Sequence, residues 1–130
     1  MNAKLRDELF ETVYHAAQAR GALAATKHVP TPMTVVQHAN PFDDGSPVVQ
    51  EWHEPNGVCG FAWVVVTPGT CAFARWLKKH DYAKPHYHGG VSIWVGGYGQ
   101  CYEKKVAHAQ AMAAYLQQVG IRAYAGDQLD

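Results

Sequence analysis

The chain lacks a long apolar run, a net charge and any dense cysteine pattern, and each absence removes a class of protein. No stretch approaches the roughly eighteen apolar residues that crossing a bilayer requires, and the opening "MNAKLRDELF" is too acidic and too broken to serve as a signal peptide. A cytoplasmic protein with no membrane partner is the expectation. Eleven Lys and Arg balance eleven Asp and Glu, so no global field recruits nucleic acid or anionic lipid. The three cysteines, Cys59, Cys71 and Cys101, are odd in number and widely spaced, which fits reduced thiols better than a disulfide framework. The eight histidines lack the helical His-Glu-x-x-His spacing, and "GGYGQ" lacks the glycine spacings of nucleotide-cradling loops. No cofactor is expected.

What is present describes one ordered domain. In 130 residues, 48% are hydrophobic and 17% charged, enough for a single core without the polar bias of a disordered chain. Leu5, Leu9, Val13 and Ala16/Ala17 recur at helical spacing behind a capping Asn2, which predicts a helix over 3–25. Residues 27–47 read as a loop packed on the body, with a short extended piece at Thr34–Gln37. "VVQEWH" and "VCGFAWVVV" flank "EPNG", which predicts a hairpin over 48–66 with strands at 48–53 and 58–66. The second strand is apolar on both faces, as in a central strand.

Thr70 is the expected cap of a helix over 71–80, whose inward stripe is Phe73, Trp76, Leu77 and His80 and whose outward side carries Arg75, Lys78 and Lys79. "VSIWV" reads as a strand with Val91, Ile93 and Val95 on one side and Trp94 buried under a helix on the other. A helix over 101–119 has the stripe Tyr102, Val106, Ala109, Ala113 and Leu116, Glu103 near its positive end and Gly120 as its left-handed stop. "IRAYA" is the last strand. The order predicts a single-domain α+β fold, with a mixed sheet of about four strands, three helices and an α/β body over 48–130.

Three patterns carry possible chemistry. In "KPHYHGG", His86 and His88 at i, i+2 point the same way on an extended chain, as metal ligands on strands do. A third ligand would have to come from His80, Cys71 or His53, and the competing reading is a polar loop with unmetallated histidines. Cys59 followed much later by His88 has the order of a cysteine hydrolase, but a reactive cysteine normally opens a helix, and a small buried thiol under the hairpin is the simpler reading. Residues 71–105 hold six basic side chains against Asp81 and Glu103, interleaved with Trp76, Tyr82, Tyr87, Trp94, Tyr98 and Tyr102. That mixture suits phosphate pairing and base stacking, or a solvated helix face over an ordinary aromatic core.

The segments "CGFAWV", "FARWLKK", "GGVSIWV", "YGQCYEKKVAHAQAMAAYL" and "GIRAYAGDQLD", within residues 57–130, resemble a group of small proteins of tailed bacteriophages and prophages. In that group Gln100 is more often followed by Ser than by Cys101, and a basic residue stands where this chain has Gln128. The resemblance implies a setting and no activity: a phage accessory protein in the host bacterial cytoplasm, or a minor virion component. The expected function is non-catalytic binding of a host or phage protein through Arg75, Lys78, Lys79, Tyr82, Lys84 and Tyr87, with nucleic-acid binding by the basic and aromatic face over 75–105 as the alternative.

Overall fold

The computed structural model describes residues 2–130. Helix α1 (Ala3–Lys27) begins where expected, the Asn2 side chain accepting from the Leu5 amide at 2.8 Å and so satisfying an orphan donor of the first turn. The chain then forms strand β1 (Met33–His38) and strand β2 (Val48–Glu54), paired antiparallel. Strand β3 (Gly60–Val66), helix α2 (Ala72–Lys79), the short strand β4 (Lys84–Pro85), strand β5 (Val91–Trp94), helix α3 (Tyr102–Gln118) and strand β6 (Ala123–Leu129) complete the order.

The fold is α+β, as expected, and its strand pairing corrects the detail. The last four strands form one sheet in the order β4-β5-β3-β6, with every neighbouring pair antiparallel and none parallel among the described residues. Each crossover, through α2 or through α3, skips over one strand. This is the connectivity of a split βαβ motif. The hairpin expected over 48–66 does not form. A strand has two edges, and β3 gives both of its own to β5 and β6, so β2 turns instead to β1. The segment 27–47 is therefore not a packed loop; its extended piece is one half of a ribbon that stands out from the body.

One face of the sheet, lined by Ala62, Val64, Val66, Val91, Ile93 and Ala123, is buried under the helices, with Leu77, Met112 and Leu116 wholly enclosed. Val91, Ile93 and Val95 are buried as expected. In α3, Lys105 and His108 join the buried stripe that the sequence assigned to Ala109, Ala113 and Leu116. Gly120 adopts φ +89°, and Ile121 donates back to the Leu116 carbonyl at 2.9 Å, which is the expected left-handed stop.

Two helix readings shift. Cys71, not Thr70, caps α2, its sulfur accepting from the Ala74 amide at 3.4 Å, and His80 is exposed at the other end. Leu5 and Leu9 are exposed, although the sequence places them in the apolar stripe of α1. The packed part of α1 is Ala17, Gly21 and Ala25. Gly21 lets α3 approach closely: a Cβ there would stand 2.5 Å from the His108 ring. That ring contacts Tyr98 Oη at 2.9 Å and Gln18 Oε1 at 2.8 Å, and burial pushes its pKa down.

Candidate binding surface on the open sheet face

Side chains on a strand alternate between faces, and the ladder register carries that alternation across the sheet. Opposite the helix-covered residues lie Phe61, Trp63 and Val65 of β3, Ser92 and Trp94 of β5, Tyr124, Gly126 and Gln128 of β6, and Lys84 of β4. No helix among the described residues covers this side. Trp94 is 55% exposed, Tyr124 45% and Phe61 37%, so the expectation that Trp94 lies buried beneath a helix is overturned. All three helices pack on the other face, and period-two alternation carries Trp94 away from them.

Phe61, Trp94 and Trp63 form a continuous run of ring contacts, and Tyr124 stands on the same face. Trp63 and Trp94 face each other in register with ring centroids 5.0 Å apart, and Phe61 meets Trp94 edge-on at 6.1 Å. Gly126 permits this, since a Cβ there would sit 2.3 Å from Trp63 Nε1; the indole lies across bare backbone, a recurrent use of glycine within a strand. Lys105, buried in α3, donates to the Gly60 carbonyl at 3.1 Å and places its ammonium 5.3 Å from the centre of the Phe61 ring, a cation–π distance. Lys84 is the single charged residue in the set.

The expected sites are dispersed. Arg75, Lys78 and Lys79 are exposed on α2, in the helix layer and away from the aromatic platform. Tyr82 is not a free anchor: it is half-buried and stacked on Tyr14 at 4.1 Å. Tyr87 is 82% exposed, and Lys84 stands beside Asp81 at 4.0 Å. His86 and His88 sit in a turn closed by the His86 amide donating to the Gly90 carbonyl at 2.9 Å, with Gly89 and Gly90 at positive φ. Their ring centroids are 6.0 Å apart. No group of three or more potential metal ligands exists among the described residues, and His80, Cys71 and His53 do not join them.

Cys59 and His88 do not meet. Cys59 precedes the first residue of β3, whereas His88 leads into Val91, the partner of the last residue of β3. Seven strand residues at about 3.3 Å each separate them by on the order of 20 Å. Cys59 is also exposed, not buried, and lies opposite Cys101, whose thiol donates to the Asn56 carbonyl at 3.3 Å.

Titration shifts mark structural contacts. The Thr31 amide, donating at 2.7 Å, and then His28 and the Thr31 hydroxyl hold Glu103 below its usual range. Tyr102 donates to the Asp127 carboxylate, which pushes the phenol up to about 12. Neither group faces a cleft with a second catalytic partner.

The fold and surface thus define an α+β domain with one helix-covered and one open, aromatic sheet face. No protein-family model matches the chain, and no curated protein and no solved structure matches it. No helix among the described residues is long and apolar enough to cross a membrane. The sequence reading missed Phe61 and Tyr124 because it took two apolar strand faces to mean two buried ones. Gly126 comes to lie opposite Trp63 only through the pairing of β3 with β6, so no local signal in the sequence marked the open face.

Proposed function

We propose that this chain is a phage-encoded, non-catalytic binding protein whose partner is a host or phage protein and whose contact surface is the open sheet face. The observation that carries the reading is the exposed aromatic set of Phe61, Trp63, Trp94 and Tyr124, on a face whose one charged residue is Lys84, with the buried Lys105 ammonium against the Phe61 ring. Aromatic enrichment with charge depletion is the composition of protein-interface cores, where Trp and Tyr act as anchors. The phage setting rests on the sequence resemblance.

Nucleic acid is the second reading, because aromatics on the central strands of an open four-stranded sheet can stack bases. It ranks second because phosphates need cations beside the platform, and Arg75, Lys78 and Lys79 are in the helix layer. A pull-down from host lysate tests the first reading with two variants. Trp94→Ser/Tyr124→Ser should lose the partner, and Arg75→Ala/Lys78→Ala/Lys79→Ala should keep it; the opposite result would refute the sheet-face assignment. Retention of mixed DNA or RNA in a low-salt gel shift, abolished by Trp94→Ser/Tyr124→Ser, would move the assignment to nucleic acid.

A further inference from the structure

The ribbon of β1 and β2 is a device without a partner in its own chain. Val35, Val36, Val48, Val49 and Trp52 are all between 42% and 60% exposed, and a lone two-stranded ribbon is marginal in water. Its root is nonetheless fixed, because Glu103 grips Thr31 and the Thr31 carbonyl lies where a Cβ on Gly57 would be, 2.4 Å away. Its tip is also ordered. Ser46 Oγ contacts the Asn40 and Asp43 carbonyls at 3.2 and 2.8 Å, Asn40 Oδ1 accepts from the Phe42 amide at 3.1 Å, and the Gly45 amide donates to Asp43 at 2.9 Å. At the apex this scaffold presents Phe42, 97% exposed, next to Asp43 and Asp44. Residues 28–58 contain four acidic side chains and no Lys or Arg.

The complementary surface is on the body. The groove between the first turns of α1 and α2, about 650 Å³, has Phe10 and Trp76 in its lining, with Lys4, Arg6, Arg75 and Lys79 around them and Asp7 as the only acid. None of these four cations forms an ion pair with a described residue, and neither does Asp43 or Asp44. Trp76 Nε1 is the one buried side-chain polar atom among the described residues without a hydrogen-bond partner, and such atoms call for a physical explanation.

From these two surfaces we infer that the arm tip of one copy docks in the α1/α2 groove of a second copy, Phe42 entering beside Phe10 and Trp76 while Asp43 and Asp44 pair with the surrounding cations. The 97% exposure of Phe42 shows that the tip is not seated in its own chain's groove. Tip and groove are different surfaces, so the contact is heterologous: reciprocal arm exchange gives a dimer, and one-way docking gives a ring or an open chain. The tip is ordered before it binds, which lowers the entropic cost of docking.

Sedimentation and light scattering from micromolar to near-millimolar protein read the outcome directly. The wild type should associate, and more weakly as salt rises. Phe42→Ala should weaken association by roughly 30-fold or more, the size of a hot-spot truncation. Asp43→Lys/Asp44→Lys and Arg75→Glu/Lys79→Glu should each be impaired alone, and mixing the two should restore association because each reversed surface then meets its complement. The tip variant changes residues outside the core, and Asp43→Lys gives up only the bond from the Gly45 amide, so its melting should stay near that of the wild type even if the groove variant folds poorly; Asp44→Lys alone, which leaves that bond in place, should impair association in the same direction. A monomer at every concentration would overturn the inference, as would association indifferent to the tip substitutions or abolished by Trp94→Ser, which belongs to the other surface.

Discussion

The two faces of the four-stranded sheet carry opposite kinds of side chain. Under the helices, β3 and β5 present Ala62, Val64, Val66, Val91 and Ile93, all at 2% exposure or less; on the other side they present Phe61, Trp63 and Trp94 beside the buried Val65 and Ser92. The covered face uses compact residues because helices must approach a strand surface closely, and close packing leaves little room for large rings. The open face has no such limit. Large aromatics there are surplus to the core, which is the reason the proposed contact surface is placed on that face.

Substitutions on the two faces should separate stability from binding. The largest stability effect belongs to the covered side: Leu116→Ala, at a wholly enclosed position, should cost about 2–5 kcal/mol in urea denaturation, the range for large-to-small core changes. Within the same layer, His108 adds a pH dependence. Its pKa in the folded state is lowered by burial, so the unfolded chain takes up a proton first as pH falls through the ordinary histidine range near 6.5. This contribution to stability should therefore fall from pH 7 toward pH 5, and His108→Gln should flatten that part of the melting-temperature profile. An unchanged slope would remove His108 as its source.

On the open face, Trp94→Ala should cost less than about 1.5 kcal/mol, since the indole is already half in water, while partner capture is lost. A loss of about 3–5 kcal/mol, the value for a buried tryptophan, would mean that the face is covered after all. The smallest effect is expected at the turn beside it: His86→Ala/His88→Ala should stay within about 0.5 kcal/mol, as surface changes do. Added chelator should leave the melting temperature unchanged; a chelator-sensitive melt that either substitution reproduces would establish a metal there.

Most elements were legible before any coordinates, because their signals are local. Asn2 ahead of an apolar stripe marks the start of α1, Gly120 marks the end of α3, and the alternation in "VSIWV" places Val91, Ile93 and Val95 together. The hairpin over 48–66 was misread for the opposite reason. "EPNG" is a sound turn signal, but a turn does not choose partners, and β3 pairs along its whole length with β6 and over Trp63–Val66 with β5. The basic and aromatic mixture over 71–105 was likewise one patch only along the chain; α2 carries Arg75, Lys78 and Lys79 in the helix layer, while β5 carries Trp94 to the open sheet face.

The sequence by itself determined the class of fold, the approximate span of each helix and the compact apolar set that fills the core, since propensity, capping and hydrophobic period act over a few residues. Tertiary structure decided which strands pair, which face the helices cover and where Phe42, Trp94 and the cations of α1 and α2 come to stand. Those outcomes depend on contacts between residues far apart in the chain, and no local pattern encodes which of two apolar strand faces will be left open.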